Sequence, residues 1–111
     1  MPYSVNRYDF RAVYLVGKKY VFGANLVDLT DDERKKVGRN VGVRIDLVVK
    51  GTPAYLADLF ADDIVLSFDG EDVRDVRQFI DLVDRNSGRD VDLVVLRDRK
   101  KLKVTVALAS H

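Results

Sequence analysis

The feature that most constrains this chain is apolar alternation with a period of two. Val43, Ile45, Leu47 and Val49 alternate with Arg44, Asp46 and Lys50, Val91, Leu93 and Val95 repeat the pattern, and so do Leu102, Val104, Val106 and Leu108. Successive side chains of an extended strand point to opposite faces, so each run reads as a strand with one buried and one wet face. One long segment follows the helical period instead. Behind a capping Asp75, the apolar residues Val76, Phe79, Ile80, Leu82 and Val83 recur at helix spacing until Asn86-Ser87-Gly88 stops them.

Turn chemistry supplies the remaining elements. Residues 1–10 are polar with scattered aromatics (Tyr3, Tyr8, Phe10) and read as a lead-in to a domain spanning 11–111. Ala12 to Val16 is a short β-prone run closed by Gly17-Lys18-Lys19, and Tyr20-Val21-Phe22 and Asn25-Leu26-Val27 are extended pieces either side of Gly23. Thr30 and Glu33 have the spacing of a capping box, which predicts a short helix to about Val37. In Gly51-Thr52-Pro53-Ala54, Thr52 is a cap and Pro53 takes the first helical position, predicting a helix over about Ala54 to Leu59. Ile64 to Phe68 is a strand before the turn dipeptide Asp69-Gly70, and the last two strands form a hairpin around Asp98-Arg99-Lys100. The expected fold is α+β, mainly β: a small, partly open antiparallel barrel of five or six strands with one long helix and one or two short ones.

Composition excludes several classes of function. A chain of 111 residues suits one domain, and 47% hydrophobic with 33% charged residues is ordinary globular material. With 19 basic and 18 acidic residues the net charge is +1, which gives no electrostatic reason to expect nucleic acid as partner. The chain has no cysteine, and its one histidine, His111, is the last residue. A thiolate nucleophile, a zinc–thiolate site and a positioned imidazole base are therefore absent from the reading. Asp28, Asp31, Asp32 and Glu33 lack the ligand spacing of a calcium loop. No cofactor, no metal and no catalytic residue is expected. No apolar run approaches the roughly 20 residues of a membrane helix, and the first residues lack a signal peptide's apolar stretch. The expectation is a piece of a longer exported chain rather than a cytosolic protein.

The order of short motifs resembles the central stretch of bacterial PDZ domains. Gly51-Thr52-Pro53-Ala54, Ala57-Asp58-Leu59, Asp62-Asp63-Ile64 and Asp69-Gly70-Glu71-Asp72-Val73 stand where that family reads Gly-Ser-Pro-Ala, Ala-Gly-Leu, Gly-Asp-x-Ile and Asn/Asp-Gly-x-x-Val. Phe22-Gly23-Ala24 stands at the family's apolar-Gly-apolar loop, Asp28-Leu29-Thr30 resembles the lead into the small helix of HtrA-type serine proteases, and Arg97 ends the strand that usually closes with Arg. Asp58 and Asp62 replace glycines, which predicts a left-handed backbone there, and Ala24 replaces a larger apolar residue.

The resemblance implies a peptide-binding module rather than an enzyme, the regulatory or substrate-recruiting part of a longer bacterial protein such as an envelope protease. An extended polypeptide with an apolar last residue would add as a strand to the edge formed by about Ala24 to Asp28. The implied binding residues are Lys19, Val21, Phe22, Gly23, Ala24, Asn25, Leu26, Val76, Ile80 and Val83. Amides around Gly23 would hold the terminal carboxylate, with Lys19 or Lys18 adding screened charge. Val76, Ile80 and Val83 would face the groove while Phe79 and Leu82 enter the core. An alternative remains open: a structural or dimerisation domain whose groove is filled by residues 1–10 or by a neighbouring domain.

Overall fold

A computed structural model describes residues 20–110. Its elements are β1 (Ala24–Asp28), α1 (Asp31–Val37), β2 (Val43–Val48), α2 (Pro53–Leu56), β3 (Ile64–Phe68), β4 (Glu71–Asp72), α3 (Val76–Arg85), β5 (Asp90–Arg97) and β6 (Lys100–Ala107). The six strands form one antiparallel sheet in the order β1-β2-β3-β5-β6, with β4 paired to β3. Among the described residues the sheet does not close, and β1 and β6 are its edges. This is the expected mainly-β, partly open architecture with one long helix and two short ones. Lys18, Lys19, the lead-in 1–10 and the strand expected at Ala12–Val16 lie outside the described residues.

Local chemistry accounts for the helices. Thr30 and Glu33 complete the capping box of α1, Thr52 caps α2 with Pro53 in the first turn, and Asp75 caps α3 by accepting the Gln78 N–H. The helix after Pro53 ends at Leu56 rather than Leu59. Asp58 adopts a left-handed backbone (φ 62°), which no helix tolerates in mid-run. Asp62 is also left-handed (φ 76°), as its place at a family glycine predicts. The β5–β6 hairpin turns on Asp98 and Arg99, both with positive φ, so it is a two-residue loop flanked by the Arg97–Lys100 pair.

The core lies between the sheet and α3. Phe79 packs edge-on against Phe22 (ring centroids 5.0 Å) and Phe68 (5.8 Å), and Leu82 is buried beside it. Alternation places Val43, Ile45, Val65, Val91, Leu93 and Val95 under these rings. Leu47 departs from the pattern: it is 38% exposed. A bulge explains it, because Asn25 pairs with Leu47 while Leu26 pairs with Ile45, which leaves Asp46 as an extra residue on β2 and turns Leu47 to the outer face.

One buried carboxylate fixes the base of the sheet. Asp63 is 2% exposed and accepts the Phe60 N–H (3.0 Å) and two guanidinium bonds from Arg97, at 2.8 and 2.7 Å. The hydrogen bond to Asp63 raises the Arg97 pKa above its ordinary value. Arg97 also covers the Phe60 ring at 4.5 Å.

Candidate peptide-binding groove

The loop before β1 is built from the Gly51–Ala54 segment outward. Phe22 O accepts the Ala54 N–H at 2.8 Å, Gly23 O accepts the Val49 N–H at 2.9 Å, and Val21 O accepts the Ala109 N–H at 3.1 Å. In a trans peptide the N–H points opposite to the C=O of the same unit. Three successive carbonyls turned into the protein therefore turn the N–H groups of Phe22, Gly23 and Ala24 the other way. Among the described residues, the Phe22 and Gly23 amides have no acceptor.

Gly23 makes this arrangement possible in two ways. Its φ is +95°, and a Cβ built on it would lie 2.1 Å from Thr52 Cβ. Only a residue with no side chain fits a left-handed backbone pressed against Thr52. The loop's glycine and the Thr-Pro-Ala motif are thus two halves of one contact.

The edge of β1 continues the loop. The Val49 N–H to Gly23 O bond makes Ala24 and Val48 a non-hydrogen-bonded pair, so the Ala24 N–H and C=O face away from β2. Backbone groups alternate along a strand, which places those of Leu26 on the same open edge. The bulge adds its extra residue to β2, so β1 keeps an unbroken extended edge.

α3 stands beside β1, and its residues divide as expected except at Val83, which the sequence reading turned to the groove and the structure buries in the core. Phe79 and Leu82 are in the core, Ile80 is half-buried and outside the core cluster, and Val76 is half-buried at its margin. Val83 is buried within the core cluster. At the end of the groove away from the loop, Asp28 Oδ1 accepts the Val76 N–H at 2.9 Å and ties β1 to the start of α3. Sequence reasoning did not single out Asp28 as part of the site, since its partner lies 48 residues away. The loop and strand side chains are well covered: Phe22 and Leu26 are each 2% exposed. Asn25 is fully buried on the face opposite Leu26, and its side-chain amide has no partner among the described residues.

Away from the groove, Asp46, Leu47, Tyr55, Asp58 and Phe60 line a separate surface cleft of about 420 Å³. No group of three or more His, Cys, Asp or Glu among the described residues is arranged to hold a metal ion. No helix among them is long and apolar enough to cross a membrane.

Comparison with known proteins agrees with this geometry. The PDZ domain family model matches residues 44–97, from β2 through the end of β5. Among solved structures, the chain superposes on the HtrA-type protease AlgW with a decapeptide at a TM-score of 0.69, with 25% identity over 81% of this chain and 29% of that one. AlgW with a tripeptide gives 0.70, with 25% identity over 79% of this chain and 30% of that one. The HtrA3 PDZ domain bound to a phage-derived ligand (FGRWV) gives 0.67, with 19% identity over 78% and 81% of the two chains. The chain therefore spans less than a third of the AlgW chains it matches. No curated protein sequence matches it. Residues 44–97 thus match the PDZ domain family, and the described residues have a PDZ-like fold similar to that of HtrA-type proteases.

Proposed function

We propose that this domain captures the C-terminal segment of a partner polypeptide by strand addition to β1. One observation carries the reading: the carbonyls of Val21, Phe22 and Gly23 are tied inward, which leaves consecutive amides free of backbone acceptors beside an unpaired strand edge. Such a cluster of N–H groups suits a carboxylate, and the adjoining edge supplies a ladder for the rest of the peptide. Phe22, Leu26 and Ile80 give the terminal pocket an apolar lining, so the partner's last residue is apolar. Val76 extends that wall, and Lys19, just before the loop in sequence, would add screened positive charge. The domain recruits or senses polypeptides and performs no chemistry itself. Its likeness to part of the longer AlgW protease supports a place within a larger bacterial protein such as a protease.

A specific observation favours a second reading. An open pocket leaves part of its lining exposed, yet Phe22 and Leu26 are each 2% exposed. In this reading the groove is filled by residues 1–10 or by a neighbouring domain, and the fold serves structure or dimerisation. Titrating a random C-terminal peptide library against the full chain and against the chain lacking residues 1–10 separates the two. Binding by the full chain supports capture of a partner. Binding only after deletion supports self-occupation, and binding by neither refutes the groove.

A further inference from the structure

The Asp28–Val76 bond does more than start a helix. α3 already has its own cap, because Asp75 accepts the Gln78 N–H at 2.8 Å. Asp28 reaches the same turn from the edge strand and uses one oxygen for the Val76 N–H. Among the described residues its other oxygen, Oδ2, receives no donor, and Asp28 forms no ion pair. The residue is exposed, so this oxygen stands at the end of the groove, open to solvent.

We propose that Asp28 is a specificity-determining residue that selects partner polypeptides carrying Lys or Arg four positions before the C-terminal residue. The inference rests on the strand-addition reading. With the terminal carboxylate at the Gly23 and Ala24 amides, the last residue pairs with Ala24, the one two before it with Leu26, and the one four before it with Asp28. Directly opposed residues of an antiparallel pair share a face, with Cβ atoms about 4.5–5.5 Å apart. Ala24, Leu26 and Asp28 share the face turned toward α3. A basic side chain four before the end therefore lies over the free Asp28 oxygen and forms a charge-assisted bond. Glu at that place meets a like charge. Arg74 and Arg77 are exposed on the same turn, so the selection comes from this contact and not from the net field.

The test measures binding of six-residue peptides ending in Val to the full chain by fluorescence anisotropy. The position four before the end is Lys, Ala or Glu, and a further peptide carries Lys three before the end, where side chains point to the other face. Lys four before the end is expected to bind about threefold tighter than Ala, and Glu about threefold weaker, from the energy of an exposed cross-strand charge pair. Lys three before the end should lose the gain. Asp28→Asn keeps an oxygen for the Val76 N–H and removes the charge, so the Lys-to-Glu spread should collapse. Equal binding of all the peptides, or a spread that persists in Asp28→Asn, overturns the assignment and leaves the groove standing. Failure of every peptide to bind overturns the assignment together with the capture of partners by the full chain.

Discussion

Gly23→Ala tests the loop at its most constrained atom. The new methyl would sit 2.1 Å from Thr52 Cβ, 2.2 Å from its Oγ1 and 2.5 Å from its Cγ2. Thr52 cannot retreat, because its hydroxyl donates to Val49 O at 2.7 Å and its N–H donates to the same oxygen at 3.4 Å. The left-handed backbone at Gly23 adds roughly 1–2 kcal/mol for any L side chain, and forcing a methyl into packed surroundings typically adds about 1–3 kcal/mol. The expected loss is therefore about 2–5 kcal/mol, a large part of what holds a small domain together. Urea denaturation reads it as a fall in midpoint at constant slope. The packing share can be isolated by Thr52→Gly, which removes the opposing Cβ and leaves the dihedral penalty. The double variant should recover about 1–3 kcal/mol of coupling. A single-variant loss below about 0.5 kcal/mol, the range of an unremarkable surface change, would refute the close approach.

Three further outcomes follow from the packing. Ile80→Lys should leave stability within about 1.5 kcal/mol and weaken peptide binding, whereas Phe79→Lys buries a charge among Phe22 and Phe68 and should unfold the domain; circular dichroism and peptide titration separate the two, and like behaviour would reverse the assigned helix faces. Asn25→Val replaces a buried amide that lacks a partner among the described residues, so stability should rise by about 1 kcal/mol; a clear loss in urea would show that the amide is used. The Thr30 N–H, with Arg44 alongside, holds the Glu33 carboxyl below its ordinary value of 4.5. A depressed folded value means stabilisation that is present above 4.5 and lost as pH falls through the folded value, so the stability gap to Glu33→Gln should narrow in acid and stay flat above it.

Local signals carried much of the fold in the sequence. Alternation located β2, β5 and β6, and capping residues located all three helices, because each signal lies within one element. What alternation could not show was the bulge opposite Asn25, which depends on the strand that β2 pairs with. Strand β4 is only two residues long and has no periodicity to detect. The left-handed turns at Asp58 and Asp62 were visible only through the family's glycines at those places. In the groove, the glycine loop and the core side of α3 were legible. Val83 read as a groove residue but is buried in the core, because helical spacing alone does not show how wide a stripe the sheet covers. The Thr52 contact that fixes Gly23 joins residues 29 apart, and no local pattern signals it. Asp28 read as the lead into a helix, and its bond to Val76 exists only once β1 and α3 meet.

The central claim is that the amides of the Phe22-Gly23-Ala24 loop hold a terminal carboxylate. Its most direct test adds one apolar-ended peptide to the full chain in two forms, free acid and C-terminal amide, with affinity and the Gly23 and Ala24 amide proton shifts read by NMR. Hydrogen bonds to a charged acceptor are worth roughly 1.5–3 kcal/mol, so the acid should bind about tenfold or more tightly. The acid should also move those two amide protons strongly downfield, while the amide form leaves them nearly in place. Equal affinities with unmoved Gly23 and Ala24 protons would contradict the account.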